Sequence, residues 1–154
     1  MKITKLEKID NTTHLVKSVK KLNKPVNENG IECVFILLTK AKGLKLFDER
    51  EEAVRTCRRQ RIAYNHNLAP DVCTSVETYL TPFKRSKKAY FGYVTEVAQT
   101  MEYKEFNTLL DTEEYKTFER ELKTIKMDGD LHSANVGRVR GKLVCIDFGD
   151  SSAS

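Results

Sequence analysis

The hydrophobic pattern of this chain changes period near Ala98, and that change limits the folds open to it. Before it, short runs rich in β-branched and aromatic residues are broken by turn residues. After it, apolar residues return every three or four positions. The stretches 3–9, 14–19, 31–39, 43–47, 71–80 and 88–97 read as strands, with a helix from Asp48 to about Asn65 between the fourth and fifth. The stretch 21–30 contains Pro25 and ends in Asn29-Gly30, so it reads as a loop closing on a tight turn. Beyond Ala98 the pattern predicts a short helix over 103–110. A second helix is capped by Asp111 with Glu114 in its first turn, and Tyr115, Phe118, Leu122 and Ile125 form its inward face. A loop over 128–135 and a hairpin of 136–139 with 142–146 about Gly141 close the pattern. Strands, one helix, strands, helices and a hairpin make an α+β chain.

The early helix carries its own signals. Asp48 with Glu51 three residues later matches a capping box. Val54, Cys57, Arg61 and Tyr64 share one stripe, and Ala53, Cys57 and Gln60 a neighbouring one. The chain has 154 residues, enough for one domain or two small lobes about a cleft. The division expected is a first lobe of about 1–97 and a second of about 98–154.

Composition narrows the class. The chain is 40% hydrophobic and 32% charged, a globular profile without the ~20-residue apolar run of a membrane helix. Charges interrupt the N-terminal segment where a signal peptide has its apolar stretch, so a cytoplasmic protein that does not enter a membrane is expected. Cys33, Cys57, Cys73 and Cys145 have no zinc-like spacing and are expected as buried or half-buried free thiols. The net charge of +5 gathers at 17–24, 55–61, 84–88 and 138–142. These clusters fit phosphates, an acidic partner or nucleic acid, but no aromatic residues interleave them for base stacking. His132, inside the 128–135 loop, is expected to have a structural role rather than to move protons, and His14 and His66 to lie on the surface.

The chemistry concentrates in the last thirty residues. Asp130 precedes Asn135 by five positions, and Asp147-Phe148-Gly149 begins twelve residues after Asn135, beyond an apolar strand. Phosphoryl transfer needs a carboxylate near the attacking hydroxyl and hard oxygens to hold magnesium on the phosphates. Asp130, Asn135 and Asp147 supply those groups in a loop-and-hairpin context.

The segments Asp128-Gly129-Asp130-Leu131-His132 and Ile146-Asp147-Phe148-Gly149-Asp150 resemble the HGDLHxxN and IDFGD segments of the protein-kinase-like superfamily, in its aminoglycoside-phosphotransferase, choline-kinase and RIO-kinase branches. The resemblance implies a bilobal fold with a five-stranded antiparallel N-lobe sheet and a truncated, mainly helical C-lobe. It implies ATP and Mg2+ as cofactors, Asp130 as catalytic base, and Asn135 and Asp147 as metal ligands. It also implies a lysine on the third strand, a helix after it, and a hinge after the fifth. Lys45 fits the first, as a phosphate-holding and catalytic cation. The helix from Asp48 fits the second, and Leu68-Ala69-Pro70 resembles the loop that follows it in these families. Glu96, Val97 and Ala98 fall where backbone groups would meet adenine.

Four positions depart from the family pattern. Asp10-Asn11-Thr12-Thr13 stands where a glycine-rich loop is expected. Gln60, fifteen residues after Lys45, stands near the place of a helix glutamate. Asp128 replaces a histidine, and the sequence runs only seven residues past Asp147. So short a C-lobe implies a protein serine/threonine as acceptor and the economy of a phage or other viral genome. Two other readings stay open: a pseudokinase or nucleotide-binding interaction module acting through a partner, and a basic RIO-like protein associated with RNA or ribosomes.

Overall fold

The computed structural model describes residues 5–17, 26–28, 31–81, 88–129 and 131–146. Asp130, Asp147, Phe148, Gly149 and the Asn29-Gly30 turn lie outside the described residues. The elements are β1 (Lys5–Lys8), β2 (Thr13–Lys17), β3 (Val26–Glu28), β4 (Ile31–Leu37), β5 (Lys42–Phe47), α1 (Arg50–Asn65), β6 (Glu77–Thr81), β7 (Lys88–Glu96), β8 (Gln99–Thr100), α2 (Tyr103–Leu109), α3 (Glu113–Thr124), β9 (Val136–Val139) and β10 (Lys142–Cys145). The chain is α+β, as its pattern predicts. None of the described helices is long and apolar enough to cross a membrane.

The sheet differs from the five antiparallel strands expected. Among the described residues it has seven, in the order β1-β2-β6-β7-β5-β4-β3, and it is mixed, because β2 runs parallel to β6. Two features account for the count. The stretch read as a loop contains β3, which folds back on β4 with Val26 opposite Cys33. The β1–β2 hairpin adds to the far edge, where Thr13 to Leu15 pair with Thr78 to Leu80. Strand β6 is also shorter than 71–80, because residues 71–76 make only a single bridge, Val72 to Thr95.

Strand periodicity puts Leu44 and Leu46 on one face with Val34, Ile36, Val94, Tyr79 and Val16, where they form one buried cluster. Phe47 faces the other way with Tyr93, and Ala53 and Cys57 of α1 pack on them. Of the two helix stripes, the one with Ala53, Cys57 and Gln60 is inward, while Val54 is 42% exposed and Tyr64 36%. The helix begins one residue later than its capping-box pattern predicts. Its N-cap is Glu49, with no side-chain cap bond, because Asp48 and Glu49 are still turning out of β5.

A third core unites α2, α3 and the β9–β10 hairpin through Phe106, Tyr115, Phe118, Leu122, Val136 and Leu143. The α3 cap is Thr112 rather than Asp111, with the Thr112 hydroxyl accepting from the Tyr115 amide. Both α1 and α3 end in the same way. Asn67 and Lys126 take positive φ, and the next residue returns its N–H to the third-last helical carbonyl, Leu68 to Ala63 and Met127 to Leu122. Each cap turns the chain sharply inward, so Leu68 and Met127 are buried. Between β9 and β10, Arg140 and Gly141 both have positive φ, the two-residue turn whose twist suits a hairpin. The short strand β8, absent from the sequence pattern, joins this hairpin beside β9.

Candidate active site

Lys45 is the fourth residue of β5, between β4 and β7 in the sheet, directly opposite Phe35 and Tyr93. Neighbours on both sides fix its backbone, and its side chain is only 3% exposed. A buried ammonium must be hydrogen-bonded. Its Nζ donates to the main-chain carbonyl of Ile146 at 2.8 Å. That carbonyl belongs to the residue before Asp147, at the end of the C-terminal hairpin.

Asn135 reaches the same residue from the other side. Its main-chain carbonyl accepts the Ile146 amide at 2.8 Å. Its side-chain oxygen accepts the His132 amide, also at 2.8 Å, and its own amide donates to the His132 carbonyl. The His132 imidazole takes the Ala134 amide on Nδ1. The loop 131–135 is thus braced by its own side chains, with His132 in the structural role expected, and Asn135 is 3% exposed. The two peptide groups of Ile146 are held by Asn135 on one side and Lys45 on the other.

Close approach completes the convergence. An added Cβ at Gly137 would stand 2.7 Å from the Gln99 carbonyl, 3.1 Å from Ile146 Cδ1 and 3.2 Å from Ala98 Cβ. Glycine there brings Ala98, at the end of the long strand segment, against the hairpin that carries Ile146. Ala98 itself is buried.

The other expected site residues have different partners. The Gln60 carboxamide donates to the Pro70 carbonyl at 3.0 Å and to the Thr95 hydroxyl at 2.6 Å, and accepts from the Tyr93 hydroxyl at 2.8 Å. It is a knot between α1, β7 and the 68–70 loop rather than the partner of Lys45. The Glu96 amide donates to Asp71 and the Val97 amide to Ala41, both at 2.9 Å. The Glu96 carboxylate accepts the Asp71 amide and the Arg140 guanidinium. Neither amide is turned toward a cleft, so of this trio the structure brings only Ala98 to the convergence at Ile146.

The 68–70 loop ties the halves together. Gln60 holds Pro70 from α1, and the Cys145 amide donates to the Leu68 carbonyl at 2.7 Å from β10. Tyr93 was not singled out in the sequence, whereas Thr95 stood beside the expected hinge, Arg140 in a basic cluster and Ile146 in the segment that begins the Asp147 motif.

Two clusters of charge read as open surface are partly spent inside the fold. Arg138 makes a two-pronged contact with Glu114, both arms at 2.9 Å, which draws the Glu114 carboxyl below the ordinary glutamate range. Arg61 caps the Thr74 carbonyl, and Arg59 is buried. His14 is not a bare surface residue: its ring stacks on Tyr79 with centroids 4.9 Å apart and Nε2 lies 2.8 Å from Glu77. Among the described cysteines, Cys57 and Cys145 are buried and Cys73 is exposed, all as free thiols. Burial pushes the Cys57 thiol up, away from thiolate reactivity.

By residue type Lys45 and Asn135 match the cofactors that the motif implies, with the Asn135 side-chain oxygen accepting the His132 amide and both residues 3% exposed. Asn135 is a hard-oxygen residue of the kind magnesium prefers, and Lys45 is a fixed cation suited to phosphate oxygens. Phe35, half-buried on the Lys45 face, adds an aromatic surface. No protein-family model matches the chain, and no curated protein is similar to it.

Proposed function

We propose that this chain is a small phosphotransferase of the protein-kinase-like class, with ATP and magnesium as cofactors and a hydroxyl group, on a protein serine or threonine, as acceptor. The observation that carries the reading is the meeting of Lys45 and Asn135 at Ile146, one residue before Asp147. The Lys45 ammonium and the Asn135 main-chain carbonyl both bond to Ile146, and Lys45 comes to it from 101 residues away in the chain. A mere turn sequence at 128–150 gives no reason for that convergence.

In this reading β3 to β7 form the N-lobe sheet and β1–β2 an added hairpin. Lys45 then lies on the third strand, α1 follows it, and 96–98 end the fifth. Lys45 holds phosphate oxygens. Asn135 and Asp147 hold magnesium, which when bound offsets charge on those oxygens. Asp130 orients the acceptor hydroxyl and takes its proton. Catalysis of this kind is positioning and charge stabilisation, so each group counts by orders of magnitude. The test is ATP–magnesium binding followed by γ-phosphate transfer, wild type against Asp147→Ala. Absence of binding overturns the reading.

A second reading has its own support. The Gln60 carboxamide is committed to Tyr93, Thr95 and Pro70, and the Glu96 and Val97 amides to Asp71 and Ala41. A site with those groups committed suits a nucleotide-binding interaction module without turnover. Asp130→Asn separates the two: an enzyme loses its biological effect with nucleotide binding intact, and a module keeps both. The RIO-like RNA-associated reading ranks third, because Arg138 and Arg140 are engaged with Glu114 and Glu96.

A further inference from the structure

Helix α3 divides its charges by face. Tyr115, Phe118 and Leu122 are buried. Lys116, Arg120 and Lys123 recur at spacings of four and three, so they form one exposed stripe. Thr117 and Glu121 fall on the other flank, lining a separate depression with Lys142, and Glu113 lines it too while standing 3.9 Å from the Lys116 ammonium. The basic stripe lines a groove of about 490 Å3 with Glu119 and Asp128. Asp128 is carried there by the turn that ends α3, and it precedes Asp130 by two residues.

We propose that this groove is a docking site for an acidic peptide segment, and that it selects acceptors with aspartate or glutamate near the reacting hydroxyl. The inference rests on the phosphotransferase reading for the role of Asp130, while the docking stands on the groove itself. Three cations on one helix face give an anionic peptide complementary charge beside Asp128, two positions from Asp130 in the sequence. Charge of this kind steers encounter and sets selectivity more than it adds affinity. Glu119 and Asp128 in the same groove favour separate carboxylates that meet single cations over a continuous polyanion, whose every phosphate would pass a like charge. No aromatic residue lines the groove for base stacking, which also argues for peptide over RNA.

The test is binding of labelled serine peptides by fluorescence anisotropy without ATP. An acidic peptide is compared with its Asn/Gln analogue and with a single-stranded RNA of similar length. The acidic peptide is expected to bind about tenfold more tightly than its neutral analogue, and to lose that advantage as salt rises from about 50 to 300 mM. Lys116→Gln, Arg120→Gln and Lys123→Gln together should remove the preference, with far-UV circular dichroism unchanged. Glu119→Gln should tighten acidic binding about twofold. Equal binding of the two peptides, an unaffected triple variant, or RNA outcompeting the peptide through the same residues overturns the proposal. Magnesium–ATP binding is measured on the same samples. Loss of ATP binding with the acidic preference intact sinks the phosphotransferase reading and leaves the docking site standing.

Discussion

Lys45 and Ile146 lie 101 residues apart in the chain, and a 2.8 Å hydrogen bond joins the ammonium of the first to the main-chain carbonyl of the second. It crosses from the seven-stranded sheet to the C-terminal hairpin, so the sheet and the hairpin end at Ile146 are mechanically linked. In the proposed enzyme, a charge on β5 would both bind phosphate and set the start of the metal-binding segment.

Lys45→Met tests both roles. Methionine keeps the apolar stem but leaves the Ile146 carbonyl without its Lys45 donor, so folding stability should fall by about 1–3 kcal/mol. Phosphate transfer should fall by about 100-fold or more if the cation stabilises charge in the transition state. Denaturant unfolding and a γ-phosphate transfer assay read the two effects separately. A stable Lys45→Met protein with unaltered transfer removes Lys45 from the site.

Gln60 gives the opposite expectation. Tyr93→Phe deletes one hydroxyl from its knot and should cost about 1–3 kcal/mol, because the Gln60 oxygen is left buried without that donor. Nucleotide affinity should stay within about twofold. A loss of ATP binding without a loss of stability would return Gln60 to the nucleotide site.

Thr56 offers a gain in stability. It is completely buried on α1, and among the described residues its hydroxyl is the one buried side-chain polar atom without a hydrogen-bond partner. Thr56→Val replaces that oxygen with a methyl group of similar size, and should stabilise by about 1 kcal/mol, or roughly 2–4 °C in Tm for a chain of this size. A lower Tm would show that the hydroxyl is satisfied in solution.

The Glu114–Arg138 contact makes a pH-dependent contribution. The hydrogen bond from Arg138 lowers the Glu114 pKa from its ordinary 4.5, so folding holds the carboxylate more firmly charged than the unfolded chain does. The contribution is present above the ordinary value and disappears as pH falls through the lowered one. Because the pair is partly exposed, it is worth only about 0.2–1 kcal/mol. Glu114→Gln should therefore lose that much at pH 7, and differ little from wild type once both carboxyl forms are protonated. Chemical denaturation at pH 7 and near pH 3 is the measurement.

The sequence was most legible where pattern and punctuation agree. Leu44 to Phe47 is a short apolar run broken only by Lys45, and Arg140-Gly141 follows a strand, so β5 and the hairpin stand close to where the pattern puts them. The strand β3 was hidden, because three residues beside a proline-containing stretch carry too little periodicity to outweigh a loop composition. Parallel pairing of β2 with β6 leaves no mark in either strand, since strand partners are chosen by the whole fold. The same divide runs through the site. Asn135 was found as a candidate by its spacing from Asp130, and Lys45 through the family resemblance. The destination of Gln60 was not, because any buried amide near a lysine looks like its partner until Tyr93, Thr95 and the Pro70 carbonyl are seen around it.

The pairing of β2 with β6 also has a consequence for synthesis. Thr13 must meet Thr78, and the Thr78 amide bonds back to the Thr12 carbonyl. At ~5–20 residues per second, roughly 65 residues of further translation mean a delay of about 3–13 s before the partner strand exists. The β1–β2 hairpin waits that long for its partner strand, with one backbone edge open throughout.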